Sequence, residues 1–195
     1  MVALCATFLV SCEKDNDINE NEGSASKIVA TNVINGSSQI ATVKTIIWHG
    51  DDYEDYDVIA QASYKNNGFT MELPASLPAK CLLPIMYLVS SDYEGAEQLI
   101  SDRTVKGNTL WGFRAYNSND EYLGFLQYSA YSEDYDWCEA IWFYVDKDVT
   151  VLEQRGDNVN LNLKKGWNIC YNSDVFFTSK KPSGFNLKWE FKEDI

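Results

Sequence analysis

Apolar and polar residues alternate with a period of two along most of this chain. Val58, Ala60, Ala62 and Tyr64 alternate with Ile59, Gln61 and Ser63, and Phe69, Met71 and Leu73 with Thr70 and Glu72. Further on, Val159, Leu161 and Leu163 alternate with Asn158, Asn160 and Asn162, and Trp167, Ile169 and Tyr171 with Asn168, Cys170 and Asn172. Successive side chains of an extended strand point to opposite faces, so each run offers one apolar face to a core. A helical repeat shows only briefly, from Tyr93 to Ile100. The pattern predicts an all-β fold, an antiparallel β-sandwich of roughly nine to eleven short strands. A lipocalin-like β-barrel is the alternative, because its strands alternate in the same way.

Turn residues fit this reading. Asn67-Gly68, Lys165-Gly166 and Ser183-Gly184 each stand just before an aromatic residue, where glycine is expected to supply a positive φ. Pro74, Pro78 and Pro84 mark residues 74–84 as a loop or an edge crossing between sheets. Arg155-Gly156-Asp157 reads as the tip of a tight hairpin.

Three segments break the alternation. In "TLWGFRAYN", "EYLGFLQYSAY" and "WCEAIWFYV" both faces are apolar or aromatic. Trp137, Ile141, Phe143 and Val145 would lie on one side of the last strand, with Cys138, Ala140, Trp142 and Tyr144 on the other. An antiparallel sheet with one wet face does not read this way. Either a loop or helix covers the second face, or that face is a ligand platform. The candidate ligand-binding residues are Trp111, Arg114, Tyr122, Tyr128, Trp142 and Tyr144. Flat rings stack on the C–H faces of sugars, and Arg114 and Gln127 would supply polar contacts at the edge.

Met1 to Ser11 carries no charge, then Cys12 opens the polar run "CEKDNDINENEGSAS". The apolar stretch falls short of the ~20 residues that span a bilayer and has the length of a secretory signal core. The polar run cannot bury enough surface to offset its ordering entropy. Leu9-Val10-Ser11-Cys12 resembles the lipobox of bacterial lipoproteins, in which a cysteine after a small residue is lipidated. "YKNNGFTMELP" and "LNLKKGWNICYNS…KPSGFNLKWEF" are similar to cell-surface lipoproteins of the Bacteroidetes type. The resemblance implies a truncated lipoprotein signal at 1–11, a flexible acidic tether at 12–26 and a single β-sandwich domain at 27–195. Acyl chains such as palmitate on Cys12 would anchor the domain in outer-membrane lipid, exposed at the cell surface. The resemblance speaks to fold and location; the work expected from the aromatic strands is non-catalytic binding of a glycan or a partner surface protein. The resemblance carries over no catalytic residue.

Charge narrows the partners. With 29 acidic against 16 basic residues the net charge is −13. Nucleic acid is excluded as a partner, because affinity there rests on basic side chains neutralising phosphates. Beyond Cys5 and Cys12, the cysteines Cys81, Cys138 and Cys170 are expected to be buried free thiols, although export would permit one disulfide. Zinc lacks ligands, with His49 the single histidine and no C-x-x-C pair.

The segment "HGDDYEDYD" offers Asp51, Asp52, Asp55 and Asp57, with Glu54, as oxygen ligands for a weak calcium site, although not in EF-hand order. No other cofactor is expected. Two alternatives to a binding module remain. A fimbrillin-like structural or adhesion subunit would use residues 27–35 as a removable first strand. A small glycoside hydrolase would need two carboxylates about 5–10 Å apart. So many acids supply such pairs by chance, and the chain is not expected to be an enzyme.

Overall fold

The computed structural model describes residues 25–48, 56–89, 98–110, 112–131, 137–153 and 158–194. Fifteen strand segments run through them. The first eight are β1 (Lys27–Ala30), β2 (Thr42–Trp48), β3 (Tyr56–Ser63), β4 (Phe69–Glu72), β5 (Leu83–Pro84), β6 (Gln98–Ile100), β7 (Lys106–Thr109) and β8 (Phe113–Tyr116). They are followed by β9 (Tyr122–Tyr131), β10 (Trp137–Val145), β11 (Val149–Glu153), β12 (Val159–Leu163), β13 (Gly166–Asn172), β14 (Phe177–Thr178) and β15 (Lys188–Glu193). The count exceeds the nine to eleven read from alternation because pieces as short as β5 and β14 cannot display a period. One helical turn, α1 (Ile85–Leu88), follows Pro84. The brief helical repeat near 93–100 is not realised where it is described, since Gln98–Ile100 pairs with β11 as a strand.

Pairing runs β3-β2-β8-β9-β10-β13-β14-β12-β11-β6, with β15 added to β9, β7 to β10 and β5 to β7. The path ends at β3 and β6, so the described strands close no barrel. The fold is all-β and sandwich-like, and nearly every pairing is antiparallel; β12 with β14 is parallel. β1 and β4 form a separate two-stranded ladder. Leu73 N–H donating to Ser26 O at 2.6 Å extends this ladder, and Ala25 N–H donating to Trp167 O at 2.8 Å stitches it to β13. No helix among the described residues is long and apolar enough to cross a membrane.

Two buried clusters explain why some strands are apolar on both faces. The larger gathers Ile28, Val43, Phe113, Leu126, Trp142, Tyr144, Trp167 and Trp189 among others; the smaller gathers Ile85, Val105, Phe143, Val145, Val151 and Leu161 with their neighbours. β10 is shared. Its Cys138, Ala140, Trp142 and Tyr144 enter the first cluster, and Phe143 and Val145 enter the second. β13 divides in the same sense, with Trp167 in the first and Cys170 in the second. A strand between two cores has no wet face and so shows no polar alternation. β12, which covers one core only, keeps it: Val159, Leu161 and Leu163 are buried and Asn160 and Asn162 are exposed.

Trp142 and Tyr144 are therefore not an exposed platform. Each is only 4% accessible, and Tyr144 packs edge-on against Trp167 at 5.3 Å. Cys81, Cys138 and Cys170 are buried and unbridged.

The first hairpin turn differs from expectation in its chemistry. Asn66 (φ 53°) and Asn67 (φ 57°) carry the positive φ values, and Lys65 and Gly68 exchange backbone hydrogen bonds at 2.9 and 3.1 Å. Asparagine tolerates this region because its short side chain bonds locally. Here Asn67 Nδ2 donates to Val33 O at 2.9 Å. Gly68 is required for room instead, since a Cβ there would lie 2.1 Å from Ala30 O. Gly166 and Gly184 do take positive φ, at 99° and 94°.

Candidate functional site

The main cleft lies where β9 and β10 separate. One edge of β9 pairs first with β8, up to Leu126 opposite Phe113, and then with β10 from Ser129 onward. Gln127 and Tyr128 lie between, with no strand on that edge. β10 mirrors this: residues Trp137 to Glu139 pair with β9, Phe143 to Val145 pair with β7, and Ala140 to Trp142 are left between. Leu110, just past β7, donates its N–H to Trp142 O at 2.9 Å beside the gap. Residues of β2, β7, β8, β9, β10 and β13 line a cleft of about 480 Å³ there.

Its floor is aromatic and rigid. Phe113 touches Trp142 edge-on at 5.2 Å and Trp189 at 5.1 Å. Trp189 in turn stacks on Tyr128 at 5.2 Å and on Trp142 at 5.8 Å. Such ring pairs each contribute about 0.5–1.5 kcal/mol beyond simple burial, so the floor is fixed before any ligand arrives. The indole Nε1 of Trp142 is buried and has no hydrogen-bond partner among the described residues.

The walls are polar and aromatic. Arg114 is half-buried, and its guanidinium lies 5.0 Å from the ring centre of Tyr56, 5.7 Å from Tyr122 and 5.8 Å from Trp48. It makes no hydrogen bond or ion pair among the described residues. Across the cleft, Gln127 Nε2 donates to Glu139 Oε2 at 3.4 Å. Burial pushes the Glu139 carboxyl above the ordinary carboxylate range, although a hydrogen bond with Asn172 and the charge of Lys192 pull it back. Burial also raises the Tyr122 and Tyr128 phenols; at Tyr122 the Asp194 charge adds to this and Arg114 opposes it.

Four of the six ligand-binding candidates meet here: Arg114, Tyr122, Tyr128 and Trp142 line the cleft, with Gln127 beside them. Tyr144 does not, because its side chain enters the core two residues past the gap. Trp111 lies outside the described residues, as do Cys12 and the Arg-Gly-Asp tip at 155–157. Trp48, Glu139, Ile141 and Asn172 also line the cleft and went unpredicted. Trp48 ends β2 directly after the apolar pair Ile46-Ile47, so a terminal aromatic there was the available signal.

Of the calcium candidates, Asp51, Asp52 and Asp55 lie outside the described residues. Asp57 is engaged by Lys80 Nζ at 2.7 Å and accepts a hydrogen bond from the Cys81 thiol at 3.4 Å. Among the described residues no three His, Cys, Asp or Glu side chains gather as metal ligands. No family model, curated protein or solved structure matches this chain.

Proposed function

We propose that this chain is a non-catalytic binding module, held at the outer membrane by acyl chains on Cys12 and displayed at the cell surface. The cleft between β9 and β10 is its site, and a glycan or an exposed segment of a partner surface protein is its ligand. One observation carries the reading: Arg114, without a hydrogen bond or ion pair among the described residues, and the rings of Tyr122 and Trp48 stand over a pre-formed aromatic floor, within an opening of about 480 Å³. Concave, mostly apolar sites with a few convergent polar groups are the usual form of small-ligand sites. The described lining carries one carboxylate, Glu139, and glycoside hydrolysis works with two. Binding is accordingly preferred to catalysis. β1 is tied to β4, and Ile34, in the segment that follows it, is tied to β15 by its N–H donating to Trp189 O at 2.8 Å. That favours a fixed first strand over a removable one.

A glycan array probed with the protein tests the proposal, alongside Arg114→Ala and Tyr122→Ala. These side chains stand at the wall, so their removal leaves the aromatic floor in place. Binding to at least one glycan class, weakened about tenfold or more by either substitution, is expected, since a charged hydrogen bond or a desolvated ring contact is worth about 1.5–3 kcal/mol. Binding that survives both substitutions would refute this site. Mass spectrometry of the protein from its native membrane should find Cys12 acylated; an unmodified thiol there would remove the anchor.

A further inference from the structure

We propose that the face around Arg114 selects acidic glycans, those carrying carboxylate or sulfate groups on their sugar rings. This rests on the binding function argued above and names the ligand class for the same site.

The register of the sheet supplies the argument. Gln61, Lys44, Arg114, Phe125 and Lys192 stand opposite one another on β3, β2, β8, β9 and β15. Directly opposed residues of an antiparallel pair share a face. Three of the five are cations, in a chain with 29 acidic and 16 basic residues. Every cation–ring contact among the described residues falls on this row: Lys44 over Tyr116 at 4.3 Å, Arg114 among its three rings, and Lys192 over Tyr131 at 5.6 Å. Lys44 is answered by Asp120, and Lys192 acts on Glu139. Among the described residues the Arg114 guanidinium forms no hydrogen bond or ion pair, and Lys192 forms no ion pair.

A guanidinium held against aromatic faces keeps its N–H edge free, and that edge matches carboxylate or sulfate oxygens two at a time. Two strand spacings separate Arg114 from Lys192, roughly 10 Å, about the length of a disaccharide. A polymer with an acidic group in each repeat can therefore meet both cations while its rings lie on Tyr122 and Phe125. The rest of the molecule repels such a polymer. Its net charge is −13, and Asp51, Asp52, Glu54 and Asp55 lie in sequence between Trp48 and Tyr56. Attraction is thus short-ranged, limited to close contact with this row and weakened by salt. An acidic peptide has the charge but no flat C–H face to stack.

The test is a binding panel of uronate-containing and sulfated oligosaccharides, each beside its neutral counterpart, methyl-esterified or desulfated, with poly-glutamate as the peptide arm. Acidic members should bind at least about tenfold more tightly than their neutral counterparts, the worth of one charged hydrogen-bonded contact. Arg114→Gln should abolish that preference, Tyr122→Ala should weaken acidic and neutral members together, and Lys181→Gln, on a distant exposed loop, should change nothing. Thermal melts establish that each variant is folded. Equal binding of acidic and neutral members, indifferent to Arg114→Gln, would overturn the selectivity and leave the glycan-binding function standing. Silence across every glycan would overturn both. Poly-glutamate binding as tightly as the best acidic glycan would show that charge alone is read, and would overturn the glycan as occupant.

Discussion

Two buried tryptophans offer a matched test of how the cleft floor is built. Trp142 and Trp167 are 4% and 1% accessible, and both sit in the larger core. Their ring nitrogens differ. Trp167 Nε1 donates to Pro74 O at 2.8 Å, pinning the proline-rich loop, whereas Trp142 Nε1 is buried without a partner among the described residues. Replacing either by phenylalanine removes similar volume, a shared loss of about 2 kcal/mol, below the 3–5 kcal/mol of full truncation. At Trp142 the substitution also deletes an unsatisfied donor, which returns about 1–3 kcal/mol. At Trp167 it breaks a hydrogen bond and strands the Pro74 carbonyl, which adds about 1–2 kcal/mol. Trp142→Phe should therefore change stability by about 1 kcal/mol or less in either direction, and Trp167→Phe should cost about 3–4 kcal/mol. Guanidinium denaturation followed by far-ultraviolet circular dichroism measures both, provided the slopes agree with the parent. Equal costs, or a larger cost at Trp142, would refute the assignment of an orphaned donor under the cleft.

Two further outcomes follow from buried ionisable groups. Glu139 has its carboxyl raised, chiefly by burial. A raised acid contributes most to stability below its unfolded value, and that contribution is lost as pH climbs through the folded value. Glu139→Gln should accordingly raise the urea midpoint at about pH 8 and leave it little changed at about pH 4; the opposite ordering would contradict the burial. Burial, helped by the Glu139 charge, pushes the Cys138 thiol up to about 11, and burial raises Cys170 as well. With Cys81 also fully covered, a thiol-specific disulfide reagent should label none of the three in the native protein and all three after denaturation. Rapid native labelling of any one would show that the cores open.

What the sequence disclosed depended on how many cores each strand serves. β12 faces one core and solvent, and its alternation of Val159, Leu161 and Leu163 with asparagines announced both strand and orientation. β10 faces two cores. Its composition reported a covered second face but not which residues escape cover, so Tyr144, deep in the core, looked equivalent to Trp142 at the cleft floor. The candidates Arg114, Tyr122 and Tyr128 were legible because β8 and β9 are neighbours in the chain. Trp48 and Tyr56 were not, because they reach Arg114 through the pairing of β2 with β8 and of β3 with β2, and non-local register leaves no local trace. At Asn66-Asn67 the turn was visible, but the side chains had exchanged the roles expected of glycine.

The same division of labour in β10 accounts for the cleft. A strand that stayed on β9 along its whole length would add ladder hydrogen bonds, each worth about 1 kcal/mol, and would seal the gap at Gln127 and Tyr128. β10 instead leaves β9 after Glu139 so that Phe143 and Val145 can fill the smaller core, where both are fully buried. Burying side chains of that size is worth about 1.5–3 kcal/mol each, which exceeds the ladder bonds given up. The opening is thus the by-product of a packing gain, bordered by Leu110 on Trp142 and floored by rings already in contact. Its shape is set by the cores on either side, which is why the ligand-facing substitutions proposed above, Arg114→Gln and Tyr122→Ala, should alter recognition without collapsing the site.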